Sequence, residues 1–294
     1  MEAQLIVNLL FNGMVLAGVY ILVAVGLALV MGTTDLLNLA HADFYMLGAM
    51  VAAEIYTVAH YGNQLNWLLG ILIALIIAGA FGGLCYWLVF KPVGNDFLAV
   101  LVTSLAVGMI LVQGSILVFG EKDIFLQNPI PGTLSIFAAQ ITLLKIVVVV
   151  LALATMMGLF LLLKTKVGKA MRAIGENPIN PVAALLQGVD AGRIFLISMI
   201  IGCGLAGATG GIVIALFGAD PHMGEYILLK VLLIVMVGGF GSIKGAILVG
   251  FVMGMAESLG YHFVGPNYII ILLAIVGLLT YLRPAGLFGR VPEI

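Results

Sequence analysis

The stretch LIVNLLFNGMVLAGVYILVAVGLALVM (Leu5–Met31) decides the fold, because it runs for 27 residues without one Asp, Glu, Lys or Arg. A helix needs about 20 mostly apolar residues to cross the hydrocarbon core of a bilayer, and this stretch exceeds that. Similar runs follow at Phe44–Ala59, Trp67–Phe90, Phe97–Phe119, Ile141–Leu163, Ile194–Phe217, Tyr226–Phe240, Gly245–Leu259 and Tyr268–Leu282. Several are short for a full span. The chain is 63% hydrophobic and only 9% charged, against about 25% charged in a soluble domain. So few charges cannot make a water-facing surface, and lipid must cover most of the protein. The expected fold is an all-α polytopic membrane protein with about 8–9 transmembrane helices, at least one broken or re-entrant. Pro and Gly are scattered and mark no linker, so residues 1–294 read as a single transmembrane domain.

The N-terminal sequence MEAQLIVNLLFNG lacks the basic opening of a signal peptide, so the first run is expected to be a retained helix. A net charge of −1 gives nothing for nucleic acid to bind. Cys85 and Cys203 lie in apolar runs and read as small buried hydrophobes. No metal-ligand spacing, nucleophile elbow, HExxH or paired catalytic carboxylates are visible. The stretch VGGFGSIKG (Val237–Gly245) looks like a phosphate loop but has neither the Walker nor the dinucleotide spacing. It reads as a tight turn between helices. The expectation is a transport subunit, with no enzyme activity and no cofactor or metal of its own.

Orientation follows from Lys and Arg, which stay cytoplasmic in short loops. The polar stretch KTKVGKAMRAIGENPINPVAALLQGVDAGR (164–193) carries Lys164, Lys166, Lys169, Arg172 and Arg193, five of the 12 basic residues. It should lie inside, as should Lys91–Asp96 and the tail with Arg283 and Arg290. The C-terminus is then cytoplasmic, the loop after Phe119 is outside, and MGTTDLLNLAHAD (31–43) lies toward the cytoplasmic face. Within 164–193, a short helix with cations on one side precedes Asn177–Pro178. Asn180 and Pro181 then cap and open a second short helix with an apolar face of Val182, Ala183, Leu185 and Leu186, which Gly188 stops. So short a helix is unstable alone. It packs on its own membrane domain or inserts into a groove of a cytoplasmic partner.

Ionisable groups at membrane depth are costly and face a cavity or one another. Asn38, His41 and Asp43 are either interfacial and wet or line a translocation pathway at a broken segment; a proton relay through His41 and Asp43 is the third reading, with no matching chain of carboxylates on the other helices. For Lys230, snorkelling to the interface is the expected behaviour, with internal ion pairing as the next alternative and direct contact with an amino-acid substrate as the last. Glu54 and Glu257 share its outer-side zone. Pairs of glycines four apart, Gly79/Gly83, Gly207/Gly211 and Gly250/Gly254, predict close helix packing, within one subunit first and against a second membrane subunit as the alternative.

Three blocks carry a family resemblance. They are FNGMVLAGVYILVAVGLALVMGTTDLLNLAHADFYMLGAM (11–50), GKAMRAIGENPINPVAALLQGVD (168–190) and VLLIVMVGGFGSIKGAILVGFVMGMAESL (231–259). Together, and in this order, they resemble the LivH-type membrane permease of branched-chain amino acid ABC importers. LAHAD stands where such permeases usually read FAHGE, and Lys244 where a Pro is common. The resemblance implies an ABC importer permease fold in the prokaryotic cytoplasmic (inner) membrane. Its implied partners are a second, paralogous permease subunit, two cytoplasmic ATPase subunits that hold the ATP and Mg, and an extracytoplasmic substrate-binding protein. It implies that 168–190 holds a coupling helix docking in the ATPase, through Arg172, Glu176, Asn177, Pro178, Ala183, Leu185, Leu186 and Gly188. It places Asn38, His41 and Asp43 near a cytoplasmic-side gate. Urea and amide permeases look similar, and an ion-coupled secondary transporter or a passive channel are the rivals from outside the family.

Overall fold

The computed structural model describes residues 2–58, 64–94, 96–136, 139–175, 186, 188–283 and 285–289. The first apolar run forms α1 (Glu2–Thr34), and the chain continues with α2 (His41–Val58) and α3 (Gln64–Cys85). One π-helical turn, Tyr86–Phe90, prolongs α3 to Lys91–Val93, where Pro92 and Gly94 (φ +75°) end it. Asp96 caps α4 (Phe97–Phe119) by accepting from Leu98 N. A small antiparallel hairpin, β1 (Thr133–Ile136) and β2 (Ala139–Thr142), precedes α5 (Leu143–Lys164) and the amphipathic α6 (Lys166–Gly175). Then come α7 (Ala191–Phe217), α8 (Met223–Gly238), α9 (Ile243–Val264) and α10 (Tyr268–Leu282). Among the described residues, six helical stretches are long and apolar enough to cross a membrane. The longest, Ile243–Leu282, is interrupted at Gly265–Asn267.

The hairpin is the main departure from the expected elements: Ile141, read as the start of a helix, pairs with Leu134 in β2. A β-branched residue at the edge of an apolar run suits either state, and pairing decided it. Elsewhere the helices coincide with the apolar runs or differ from them by a few residues at their ends.

α7 is the central post. It is buried along most of its length, Gly202–Ile214 without interruption. α3 runs antiparallel to it, with Ala78 against Gly207 and Ile71 against Gly211. α2 crosses the same face, where a methyl carbon on Gly48 would lie 2.1 Å from the Gly207 carbonyl oxygen. In lipid no hydrophobic drive pulls helices together, so van der Waals contact between backbones does the work. α1 and α9 form a second antiparallel pair, with Ala17 against Gly254 and Ile21 against Gly250. One side-chain bond ties α3 to the post: Trp67, fully buried, donates its indole N–H to the Gly211 carbonyl at 2.9 Å. Trp67→Phe should lower stability by about 1 kcal/mol and leave the oligomeric profile unchanged, as read from the thermal midpoint in detergent.

The two ends of the bundle differ in charge. One collects Lys91, Lys164, α6, Arg193, the turn between α8 and α9, and the tail after α10. The other carries the segment 120–142 with its hairpin, and the turn after α7. Ala219 and Ile124 exchange two backbone hydrogen bonds of 2.9 Å there.

Candidate functional site

Two helices, α2 and α8, start inside the bundle. α1 ends at Thr34, and Asp35 reverses the chain with φ +57°. Residues 35–40 then run back beside α1 without helical structure. When α2 starts, His41 lies against Gly26, where a methyl carbon would meet its Nε2 at 3.0 Å. Gly26 is eight residues before the end of α1, about 12 Å along its axis at 1.5 Å per residue. α2 therefore begins deep in the bundle and heads toward the hairpin end. α8 runs the opposite way: its first turn lies beside Ala42 and Asp43, and its last residue, Gly238, lies on Gly245 at the basic end. The N-termini of α2 and α8 thus meet inside the bundle. Each carries roughly half a positive charge.

Asp43 fills that meeting point. It is the acidic residue in the first turn of α2. Its carboxylate is held between two glycines: a methyl carbon on Gly108 of α4 would lie 2.4 Å from Oδ2, and one on Gly224 of α8 would lie 2.6 Å from Oδ1. Asn38 closes the turn before α2, accepting from Ala40 N at 3.1 Å through Oδ1 and from His41 N at 3.2 Å through its carbonyl. Its Nδ2 has no hydrogen-bond partner among the described residues. The His41 ring lies beside the Val23 carbonyl, fully buried, with neither nitrogen in a well-aligned hydrogen bond among those residues. The structure thus brings Asn38, His41 and Asp43 together and buries all three. Asp43 and His41 lie deeper than a position at the basic face.

A second polar cluster lies nearer the hairpin end. Lys230 of α8 donates to Glu257 Oε1 of α9 at 2.7 Å and to the Tyr20 hydroxyl of α1 at 2.9 Å. Tyr20 in turn donates to Glu257 Oε2 at 2.5 Å. The Lys230 and Glu257 side chains are only 20% and 14% exposed. Lys230 therefore does not snorkel. It bends inward to a carboxylate 27 residues away, because an ion pair held by a phenol costs less than an unpaired ammonium in lipid. The cluster borders a cavity of about 370 Å³ with Tyr45, Val19, Val213, Met223 and Ile227. An adjoining cavity of about 590 Å³ shares Leu16, Phe217 and Glu257 with it, and there Lys145 donates to Asn12 Oδ1 at 2.8 Å.

At the basic end, α6 turns Met171 and Ile174 inward and leaves Lys166, Lys169 and Arg172 exposed. Arg172 donates to the Leu163 carbonyl, pinning α6 to the end of α5. Gly175, its last residue, rests on Gly32 of α1, and Gly32 rests in turn on Gly241 (φ +73°) between α8 and α9. The tail completes this joint: Leu287 N and Phe288 N donate to the Val237 and Gly238 carbonyls at the end of α8. Of the loop residues singled out from sequence, Glu176, Asn177, Pro178, Ala183 and Leu185 lie outside the described residues, as does the second short helix except for Leu186. Leu186 is helical and 83% exposed. Gly188 has φ +78°. Gly207, Gly211, Gly250 and Gly254 all contact helices of this same chain, α3 and α2 for the first pair and α1 for the second.

Sequence reasoning ranked an internal ion pair for Lys230 behind snorkelling and did not single out Tyr20, whose hydroxyl joins Lys230 to Glu257. It also missed the glycine joint at Gly32, Gly175 and Gly241. These glycines are scattered over three segments, and no spacing links them.

A bundle of apolar helices, two of them starting inside it at a buried carboxylate, with mostly apolar cavities bordered by a buried ion pair, has the build of a multi-pass membrane transport protein. The chain belongs to the family described as branched-chain amino acid transport system / permease component, which it matches over residues 9–282. It is similar to the high-affinity branched-chain amino acid transport system permease protein LivH of Salmonella typhimurium, with 29% identity over 97% of this chain and 96% of that protein. It is 27% identical to the permease protein BraD of Pseudomonas aeruginosa over the same shares of the two chains. A probable branched-chain amino acid transport permease protein LivH of Methanocaldococcus jannaschii is 29% identical over 85% of this chain and 80% of that protein. No solved structure matches the chain. Among the described residues, no three histidine, cysteine or carboxylate side chains converge on a metal position.

Proposed function

We propose that this chain is the membrane-spanning permease subunit of an ATP-driven importer of branched-chain amino acids in the prokaryotic inner membrane. Residues 1–294 form one domain of nine crossings, the segment 35–58 and α8 with the turn before it each counted as one broken crossing. The basic end is cytoplasmic, because Lys and Arg collect there. The C-terminus is then inside and the N-terminus outside. The chain works with a second, paralogous permease, two cytoplasmic ATPases that bind ATP and Mg, and an extracytoplasmic binding protein that delivers substrate.

One observation carries this reading. Gly175, the last helical residue before the loop, rests on Gly32, and Gly32 lies two residues before the end of the helix that leads into Asn38, His41 and Asp43. A push on the loop therefore reaches the broken helices through a single backbone contact. Alternating access follows: ATP closes the ATPases, the loop moves, α1 and the 35–40 segment shift, and the path past Asp43 changes sides. The loop residues Arg172, Glu176, Asn177, Pro178, Ala183, Leu185, Leu186 and Gly188 form the coupling surface, and the exposed Leu186 is its described apolar tip.

The test is co-purification from native membranes followed by reconstitution. Two ATPases and a second permease should accompany the tagged chain, and leucine uptake into proteoliposomes should require ATP and the binding protein. Uptake by the chain alone, driven by an ion gradient or by none, would replace this reading with a secondary transporter or a channel. Leu186→Asp puts a charge on the apolar tip. It should cut leucine uptake at least tenfold while basal ATPase activity and the chain's thermal midpoint persist. Wild-type uptake by that variant sinks the coupling assignment.

A further inference from the structure

We propose that the cavity bounded by Tyr20, Lys230 and Glu257 is a docking site for the α-ammonium and α-carboxylate of a zwitterionic amino acid, with its side chain against the apolar wall. The inference rests on the importer reading and adds to it where in this chain the substrate is held.

The chemistry matches group for group. An α-amino acid carries one cation and one anion on neighbouring atoms. The cavity presents one cation and one anion 2.7 Å apart, bridged by a phenol that bonds both. The substrate carboxylate would accept from Lys230 Nζ and the Tyr20 hydroxyl, and its ammonium would donate to Glu257. Each protein charge then exchanges one opposite charge for another. Pair and ligand are both neutral overall, so docking adds no net charge to a low-dielectric site. Glutamate or lysine would leave an unpaired charge there, which is costly away from water. Urea has neither charge and could not open the ion pair.

The wall suits a branched aliphatic side chain: Leu16, Val19, Val213, Met223 and Ile227 line it. The volume of about 370 Å³ lies within the range of about 300–1,000 Å³ usual for small-molecule sites. The position also fits delivery from outside. Asp123, Asp220 and Ala219 of the hairpin end form the rim, and Tyr45 leads from the cavity toward α2 and Asp43. Tyr20, Lys230 and Glu257 come from α1, α8 and α9. α8 and α9 are joined by the turn that rests on Gly32, so movement at the basic end reaches two walls of the cavity.

Photo-leucine, the diazirine analogue of leucine, tests this in the reconstituted importer. During ATP-driven uptake, illumination should label α1 within Leu16–Tyr20 or α8 within Met223–Lys230, as mapped by mass spectrometry, and excess leucine should remove the label. Lys230→Met and Glu257→Gln should each lower label and leucine uptake at least tenfold while the subunits still co-purify. The exchange Lys230→Glu with Glu257→Lys separates docking from a mere clasp between helices. It restores the pair but reverses its polarity against Tyr20, so uptake should stay low. Recovery of uptake in the exchange, or normal photo-leucine uptake with label only elsewhere, overturns the site and leaves the importer reading standing. A wild-type complex that takes up neither leucine nor photo-leucine overturns both.

Discussion

Gly48→Val is expected to leave almost no folded protein. Gly48 sits where α2 crosses α7, and its Cα faces backbone, not side chain. A methyl carbon there would lie 2.1 Å from the Gly207 carbonyl oxygen and 2.3 Å from its Cα. No rotamer change relieves that contact, because none of those atoms can turn away. The helices would have to separate by more than an ångström. A methyl carbon on Gly210 would likewise lie 2.0 Å from the Tyr45 carbonyl oxygen, and one on Gly207 would lie 2.3 Å from Ala78 of α3, so the three helices are packed too closely for separation at one point to stay local. Overpacking of a core costs about 1–3 kcal/mol when side chains can yield, and here they cannot. The loss should reach about 3 kcal/mol or more. Gly158→Ala is the contrast: it lies mid-helix in α5 with nothing within 4 Å of a new methyl group. It should hold or raise the thermal midpoint, since alanine favours helix over glycine by about 1 kcal/mol. Fluorescence-detected size exclusion of both variants, followed by thermal melting, gives the comparison. A monodisperse Gly48→Val peak of wild-type height would mean that α2 and α7 are not held by this crossing.

The helical spans were legible in the sequence for the same reason that this crossing is fragile. In lipid no hydrophobic drive distinguishes helix–helix from helix–lipid contact, so apolar length marks the spans and glycine marks where they pack closely. Leu5–Met31 falls within α1, and Phe97–Phe119 coincides with α4. The partner of each glycine was not legible. Gly207 and Gly211 share a helix face by spacing, but nothing in the spacing says that Ala78, Gly48 and Ile71 meet them. Depth was equally hidden. Residues 31–43 read as one polar stretch near a face, and hydropathy cannot say that 35–40 runs back along α1 to bury His41 beside Gly26. Lys230 shows the same limit for charge. A lysine near the end of an apolar run snorkels by default, and only the fold brings Glu257 and Tyr20 within its reach.

Asp43→Asn should reduce leucine uptake at least tenfold in the reconstituted importer with a modest loss of stability, about 1–2 kcal/mol. The stability estimate comes from the helix ends. A carboxylate at one helix N-terminus contributes about 0.3–1 kcal/mol at a surface, and more where solvent is excluded. Asp43 serves two, in the first turn of α2 and beside Gly224 at the start of α8. Asn keeps the shape and some of the dipole but cannot carry the charge. The larger effect on transport follows from position. Asp43 is where the N-termini of α2 and α8 meet, so a shift of either end changes the potential along the path between them. Asp43→Glu separates charge from fit. It keeps the carboxylate but adds a methylene between Gly108 and Gly224, whose backbones already touch both oxygens. Glu should therefore fold less well than Asn, giving the order Asp, Asn, Glu in thermal midpoint. In uptake, Asn should fall far below Asp at matched amounts of folded complex. Equal uptake by Asp and Asn would remove the charge from the mechanism and leave Asp43 as a packing residue. A Glu variant as stable as wild type would show that the two glycines leave more room at the junction than their contacts with Asp43 imply.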